Sequence, residues 1–182
     1  VVIDELPEDA PELKLSRLLQ QYRNRREQRL KDSPRSTQTA AMLVMTNLQK
    51  RLLSSIEAFA RTLSVHRRAI DRQVQQQRQV TQANLSLLLE SPGSDDDRAD
   101  LQEDEVMAEE DSQMEKATYA AGEAISQEEL ALLEEMTRVA EQTRRQPDSR
   151  IKALADWQRH NLCPNLGETG AQWNNRRVLI FT

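Results

Sequence analysis

The chain has little of what β-rich, disulfide-linked or membrane-spanning proteins require. Aromatic residues make up only 3 % of it, and it has four glycines and six prolines. Because strands favour β-branched and aromatic side chains, this scarcity excludes a large β core and favours long helices. Cys163 is the only cysteine, which excludes an internal disulfide and favours a reducing, cytoplasmic setting. No apolar run approaches the roughly 20 residues that span a bilayer, so we expect no membrane partner.

Motifs for nucleotide and metal chemistry are also missing from the sequence. No Gly-rich loop ends in Lys-Ser or Lys-Thr, the pattern that cradles phosphates. His66 and His160 lie far apart, and neither has a His or Cys partner at the spacing of a metal site. We therefore assign no catalytic residue, no metal ligand and no cofactor to these residues, and we do not expect the chain itself to be an enzyme.

The net charge of −5 conceals two oppositely charged parts of the chain. Residues 12–80 carry 15 Lys and Arg against 5 Asp and Glu, whereas residues 90–135 carry 17 Asp and Glu against 2 Lys and Arg. A basic half can face phosphate groups, and an acidic strip can repel them. The basic half is therefore the part that is expected to face phosphate.

The chain is organised around residues 37–74, which predict a pair of helices. Apolar residues recur there at steps of three and four, the spacing of a helix with one buried face. They are Ala41, Val44, Met45, Leu48 and Leu52, followed by Ile56, Phe59, Ala60, Leu63, Ile70 and Val74. Ser54, with Glu57 three residues later, predicts a capping box and hence a turn between the two helices. The pattern indicates a helical hairpin with an apolar seam and a basic exterior.

The hairpin belongs to a first region, residues 1–90, and its second helix is expected to continue to about residue 90. A helix before the hairpin is predicted over residues 9–31, with Asp9 as its cap and Pro11 in its first turn. Lys50 and the arginines of the two hairpin helices make this region basic.

Two further regions follow. Residues 91–125 are acidic and poor in apolar residues, which predicts a linker that is disordered or only transiently helical over residues 104–119. Residues 126–172 predict a second helical pair and a loop. Ser126 opens the first helix of this pair as a capping box with Glu129, and Asp148 or Ser149 caps the second.

Residues 173–182 end in a different pattern. Residues 178–181 form a continuous apolar run, Val-Leu-Ile-Phe, which is typical of a strand buried on both faces of a parallel sheet. One strand cannot make a sheet. The predicted fold class is therefore all-α, a long helical hairpin or bundle, with a single C-terminal strand that belongs to an α/β lobe outside this sequence.

The basic exterior of the hairpin is the candidate binding surface. Between residues 35 and 80 the only acidic residues are Glu57 and Asp71, so few cations can pair within their own helix. The candidate contacts to the phosphate backbone of double-stranded nucleic acid are Lys50, Arg51, Arg67 and Arg68. Such contacts would be independent of base sequence and sensitive to salt. The alternative is an ordinary solvated helix face.

Three segments, taken in order, resemble the Swi/Snf-type helicase-like ATPases of the RapA-like group in superfamily 2. They are LQKRLLSSIEAFARTLSVHRRAI (residues 48–70), PDSRIKALADWQ (residues 147–158) and WNNRRVLIFT (residues 173–182). In that family a helical insertion lies between two RecA-like lobes. The helix of the second segment leads into the second lobe, and VLIFT is the first strand of that lobe.

The resemblance implies that the chain is a piece of an ATP-dependent DNA helicase or translocase. Its implied partners are double-stranded DNA and the RecA-like lobes of the same parent chain, and the parent would bind ATP and Mg²⁺ on those lobes. None of the family's ATPase motifs occurs here, so no ATPase residue is carried over. The acidic strip departs from a nucleic-acid surface, and it is either a variable loop or an inhibitory mimic of phosphate.

A second hypothesis is a free-standing helical or coiled-coil scaffold that binds proteins. The apolar stripe from Ile56 to Val74 would then pair between chains. A scaffold has no use for the apolar run at residues 178–181, and it would be indifferent to DNA at low salt.

Overall fold

The computed structural model describes residues 6–79, 103–122 and 125–177, and these ranges contain six helices and no strand. The helices are α1 (Pro11–Arg29), α2 (Arg35–Ser54), α3 (Ile56–Gln79), α4 (Glu103–Ala120), α5 (Gln127–Thr143) and α6 (Ser149–Leu162). The predicted all-α class is confirmed for this part of the chain. The predicted strand at residues 178–181 and the continuation of α3 to residue 90 lie outside the described residues. None of the described helices combines the length and apolarity needed to cross a bilayer.

Five of the helices pack around one apolar core. Helix α1 packs against α2 and α5, α3 packs against α2, α4 and α5, and α4 also packs against α2. Arg25 pairs with Glu128 and Lys14 pairs with Glu135, so α5 runs antiparallel to α1. The largest fully buried apolar side chains are Leu15, Tyr22, Leu30, Leu48, Phe59, Leu63, Met114, Leu133 and Met136. Helix α6 lies at the edge of the bundle, and of its residues only Leu162 is buried.

The predicted hairpin corresponds to α2 and α3, and its apolar seam is confirmed. Every residue of the predicted stripes is buried except Val74, which is partly buried near the end of α3. Burial of this seam removes the apolar face of each helix from water, which is the main source of helix stability in a protein. The hairpin is therefore held together by the spacing that the sequence showed.

The turn of the hairpin lies one residue later than predicted. Ser54 is the last residue of α2, and Ser55 is extended and caps α3, with its Oγ accepting a hydrogen bond from the amide of Ala58 at 3.0 Å. The predicted capping box is wrong, because the Glu57 carboxylate does not reach back to the cap. Arg144 of α5 instead donates hydrogen bonds to both Glu57 oxygens, at 2.7 and 2.5 Å.

The shifted cap makes a testable prediction. Ser55→Ala removes the acceptor for an otherwise unpaired amide of the first turn of α3, so it should lower the free energy of unfolding by about 1 kcal/mol. Ser54→Ala is the matched control and should change it by less than about 0.5 kcal/mol. Urea titrations of the two variants provide the measurement. A larger loss for Ser54→Ala than for Ser55→Ala would contradict this assignment of the cap.

The other predicted caps have different outcomes. Ser126 Oγ accepts from the amide of Glu129 at 3.1 Å, and Asp148 Oδ1 accepts from the amide of Ile151 at 2.9 Å, so both residues are confirmed as caps. The predicted capping box at Ser126 is not completed, because the Glu129 carboxylate bonds Arg29 instead. Asp9 does not cap α1, because the residue before that helix is Ala10 and its side chain makes no capping bond. Pro11 occupies the first helical position, where its missing N–H already removes one of the donors that a cap would satisfy.

Residues 103–120, part of the predicted acidic linker in which a transient helix was expected over residues 104–119, form α4. Residues at helical spacing turn one face of this helix inward: Met114, Ala117 and Thr118 are buried, and so is Ala121, directly after the helix. Most of these side chains are small, and the segment around them is rich in carboxylates. The composition of the segment therefore does not reveal the buried stripe. The division of the chain into four regions stays a prediction.

A chain of buried hydrogen bonds links α1, α3 and α4 across the core. Arg26 donates to the Tyr22 hydroxyl at 2.7 Å, and the Tyr22 hydroxyl lies 2.8 Å from His66 Nε2. On the other side of the ring, His66 Nδ1 lies 2.8 Å from Thr118 Oγ1, and the Thr118 hydroxyl donates to the Met114 carbonyl at 2.8 Å. Because the Thr118 proton is used on that carbonyl, we assign a neutral imidazole that donates from Nδ1 and accepts at Nε2.

Candidate nucleic-acid interface and coupling helix

The four predicted phosphate contacts are spread along the hairpin. Lys50 and Arg51 lie in the last turns of α2, and Arg67 and Arg68 lie near the middle of α3. The pairs are five and twelve residues from the turn at Ser55, so they are offset by about 10 Å along the hairpin axis at 1.5 Å per residue. The structure therefore spreads these cations along the hairpin and does not bring them into one compact cluster.

Helix α4 covers part of this basic exterior with carboxylates. Arg51 forms an ion pair with Glu110, Arg72 forms one with Glu115, and Arg61 lies 3.3 Å from Asp111. Each of these six side chains keeps between a third and just over half of its surface exposed. Of the predicted contacts, Arg51 is thus engaged by an acid of the chain itself. The sequence showed that both surfaces exist, but it gave no signal that they face each other.

The other three predicted contacts stay available to a ligand. Lys50 and Arg68 are exposed and Arg67 is half-buried. Within the ranges that the structure describes, none of the three forms an ion pair, and Arg68 reaches only the Ser64 carbonyl of its own helix at 3.4 Å. The candidate interface is therefore Lys50, Arg67 and Arg68, with Arg51 beside them under the edge of α4.

Arg150, at the start of α6, makes contacts to the hairpin that the sequence did not indicate. Its guanidinium donates to the carbonyls of Leu53 and Ser54, the last two residues of α2, with the Ser54 bond at 2.7 Å. Asp148 holds the same guanidinium at 2.9 Å. These carbonyls are helix-terminal acceptors without a partner in their own helix, so Arg150 satisfies them and ties α6 to the turn of the hairpin.

A second contact fixes the start of α6 to α1. The amide of Ser149 donates to Glu12 Oε1 at 2.8 Å. Burial acts to raise the pKa of the Glu12 carboxyl, but the hydrogen bonds that it accepts, foremost from Ser149, outweigh burial and hold this pKa below its ordinary value. The N-terminal end of α6 is thus anchored on both α1 and α2.

The other end of α6 is bound to the segment that follows it. The amide of Asn174 donates to the Leu162 carbonyl at 2.6 Å, and its side-chain nitrogen donates to the Asn161 carbonyl at 2.7 Å. Helix α6 therefore connects the hairpin turn at one end to the stretch around Asn174 at the other. We call this connected unit the coupling helix; it consists of α6, which includes Arg150, and of Asn174.

The coupling helix makes a testable prediction. Arg150→Gln should leave global stability within about 1 kcal/mol, because the side chain is largely exposed. The amides of α6 should nevertheless exchange with deuterium about tenfold faster. In this variant α6 no longer has the contacts to α2 that oppose its local opening, so it opens more often. Lys152→Gln, an exposed change on the same helix, is the control. Equal protection of α6 in both variants would show that Arg150 does not anchor it.

Comparisons with known proteins return no relative. Neither protein-family models nor curated proteins nor solved structures match this chain. Across the described ranges, no group of three or more His, Cys, Asp and Glu is placed to hold a metal ion.

Proposed function

We propose that this chain is the helical insertion of a Swi/Snf-type ATP-dependent DNA translocase. In this proposal it contacts the backbone of duplex DNA and transmits movement between two RecA-like lobes, without catalysing a reaction itself. ATP and Mg²⁺ belong to the lobes. Residues 178–182 are then the first strand of the second lobe.

One observation carries the proposal: α6, which begins within the second of the three segments on which the resemblance rests, is hydrogen-bonded at its two ends to the first and the third. The first segment contains the hairpin turn, whose carbonyls at Leu53 and Ser54 accept from Arg150 of the second segment. The second segment is the first part of α6, and the end of α6 binds Asn174 of the third segment. Segments scattered over more than 100 residues thus form one continuous mechanical connection, which a coupling element requires.

The charge of the hairpin supports the DNA contact. Lys50, Arg67 and Arg68 are cations of the hairpin that form no ion pair with a carboxylate of the described residues. Contacts of this kind hold any duplex, because phosphate oxygens are the same for every base sequence. A translocase needs such sequence-independent contacts as it moves along DNA.

The experiment is duplex binding by the chain and a triple variant, Lys50→Gln, Arg67→Gln and Arg68→Gln. Loss of three phosphate contacts should weaken binding to a labelled duplex at least tenfold at low salt. The matched control removes three exposed cations elsewhere: Arg17→Gln, Arg145→Gln and Lys152→Gln. Equal affinity of the triple variant and the control would overturn the proposed interface.

A protein-binding scaffold is the second candidate, and one feature favours it. An apolar groove of about 320 Å³ lies between α1 and α2, lined by residues that include Leu13, Leu19, Met45 and Leu53. The apolar stripe from Ile56 to Val74 cannot pair between chains in this fold, because it is buried within the chain. That form of the scaffold hypothesis therefore does not apply. Indifference to duplex DNA at low salt would favour the scaffold.

A further inference from the structure

We infer that Trp173 is a stacking site for an unpaired base of single-stranded nucleic acid, with Arg176 and Arg177 contacting the phosphates beside it. The inference rests on nucleic acid being the ligand of this chain, as proposed above, and it adds a site of a different kind. The hairpin cations recognise the outside of a duplex, whereas a tryptophan face recognises a base that has left its pair.

The first observation is the exposure of a large aromatic ring. Trp173 is 64 % exposed, although tryptophan is usually largely buried in folded proteins. Trp157, the other tryptophan of the chain, is half-buried on α6. An open aromatic face of this kind matches what nucleobases stack on, and stacking tolerates every base because every base has a π-face.

The second observation is that the backbone beneath Trp173 is ordered. Asn174, its neighbour, is fixed by two hydrogen bonds to the end of α6, at 2.6 and 2.7 Å. The preceding loop folds through three turns, closed by backbone hydrogen bonds at Leu166, Glu168 and Ala171. The ring is therefore presented on a platform that is already in place, which lowers the entropy cost of binding.

The third observation is the charge around the ring. Between residues 156 and 177 there are three arginines, Arg159, Arg176 and Arg177, against two carboxylates, Asp156 and Glu168, and Arg159 lies 3.8 Å from Asp156. Arg176 and Arg177 are exposed, and within the ranges that the structure describes neither forms an ion pair. They follow Trp173 by three and four residues, so the backbone holds them within about 15 Å of its ring. Cations beside an aromatic face are the combination that binds single strands.

The experiment uses the Trp157→Phe variant of the full chain, in which Trp173 is the only tryptophan. An oligothymidylate should quench its fluorescence at low salt. In the wild-type background, Trp173→Ala should weaken binding of the labelled oligothymidylate about tenfold, which is about 1.4 kcal/mol, whereas Trp173→Phe, which can still stack, should stay within about threefold. The double variant Arg176→Gln, Arg177→Gln should show a weaker salt dependence. The slope of the logarithm of the binding constant against the logarithm of the salt concentration should become less negative by about 1.4.

Fluorescence that does not respond to the oligonucleotide, or equal binding by Trp173→Ala and the wild type, overturns the inference and assigns the ring to a contact with protein. The triple variant of Lys50, Arg67 and Arg68 separates this result from the proposed function. If that variant loses the duplex but Trp173 is still quenched by the single strand, both proposals stand. If the chain does not bind duplex at all but quenching occurs, only the duplex interface fails.

Discussion

Replacing three carboxylates of α4 with amides is expected to raise the affinity of the chain for duplex DNA about tenfold to 100-fold at low salt. The changes are Glu110→Gln, Asp111→Asn and Glu115→Gln. They release Arg51, Arg61 and Arg72 from their present partners, so that up to three more cations can contact phosphate. They also remove repulsion between the carboxylates and the DNA. When the logarithm of the binding constant is plotted against the logarithm of the salt concentration, the slope should become more negative by up to about 2.7.

The control for this variant removes the same charge from another helix. Glu128→Gln, Glu134→Gln and Glu141→Gln lie on exposed positions of α5 and should change the affinity by less than about threefold. The α4 ion pairs are partly exposed, so their loss should cost little stability, up to about 1 kcal/mol each. Equal effects of the two triple variants would show that α4 acts only through net charge and does not compete for the hairpin.

The second large effect is expected at His66. His66→Ala should lower the free energy of unfolding by about 3 kcal/mol, because it opens a void in the core and leaves the Tyr22 hydroxyl without its acceptor. His160→Ala, at an exposed position of α6, is the matched control and should change it by less than about 0.5 kcal/mol. Chemical denaturation at pH 7.5 provides the measurement.

The same histidine should make the fold sensitive to mild acid. Burial, and next the charge of Arg26, hold the pKa of His66 well below 6.5 in the folded chain. Below pH 6.5 the unfolded chain therefore binds a proton that the folded chain excludes, and stability falls by up to about 1.4 kcal/mol per pH unit. The pKa values of Glu57 and Glu135 are lowered mainly by hydrogen bonds from Arg144 and Arg138, so their contributions are lost only below about pH 4.5.

The loss of stability between pH 6.5 and 5 is thus attributed to His66. His66→Gln, which keeps a polar side chain but does not titrate, should flatten the pH dependence there, whereas His160→Gln should retain it. An unchanged pH dependence in His66→Gln would mean that another group is responsible. Burial also raises the pKa of Tyr22 to about 12, so the Tyr22 hydroxyl keeps its proton throughout this range.

The parts of the fold that the sequence predicted correctly are those encoded by neighbouring residues. The apolar spacing of the hairpin and the caps at Ser126 and Asp148 involve side chains within a few positions of one another. The shift of the turn from Ser54 to Ser55 shows the limit of such patterns. Either serine could cap α3, and the choice is linked to the pairing of Glu57 with Arg144, which lies 87 residues away.

The features that the sequence did not predict depend on contacts between distant residues. Arg26 lies among the cations of residues 23–31, yet it is only 4 % exposed, and its guanidinium bonds Tyr22 one turn earlier. Glu129 is fully buried and accepts two hydrogen bonds from Arg29, at 2.9 and 3.1 Å, across 100 residues. Composition places such charges in water, and only the packing of α1 on α5 shows otherwise.

For the same reason, only part of the candidate site could be predicted from the sequence. The cations of the hairpin follow from the scarcity of acids around them, but the pairing of Arg51 with Glu110 joins two helices 59 residues apart. Arg150 carried no signal of its own, because a lone arginine after a helix cap is common on protein surfaces. Its role follows from the two carbonyls that it reaches.

The most direct test of the central claim is the salt dependence of duplex binding by the unmodified chain. If Lys50, Arg67 and Arg68 each neutralise one phosphate, the logarithm of the binding constant should fall with the logarithm of the salt concentration with a slope of about −2.7. Binding should be the same for duplexes of unrelated sequence. A slope near zero, or no binding at low salt, would contradict the proposal that this hairpin contacts the backbone of DNA.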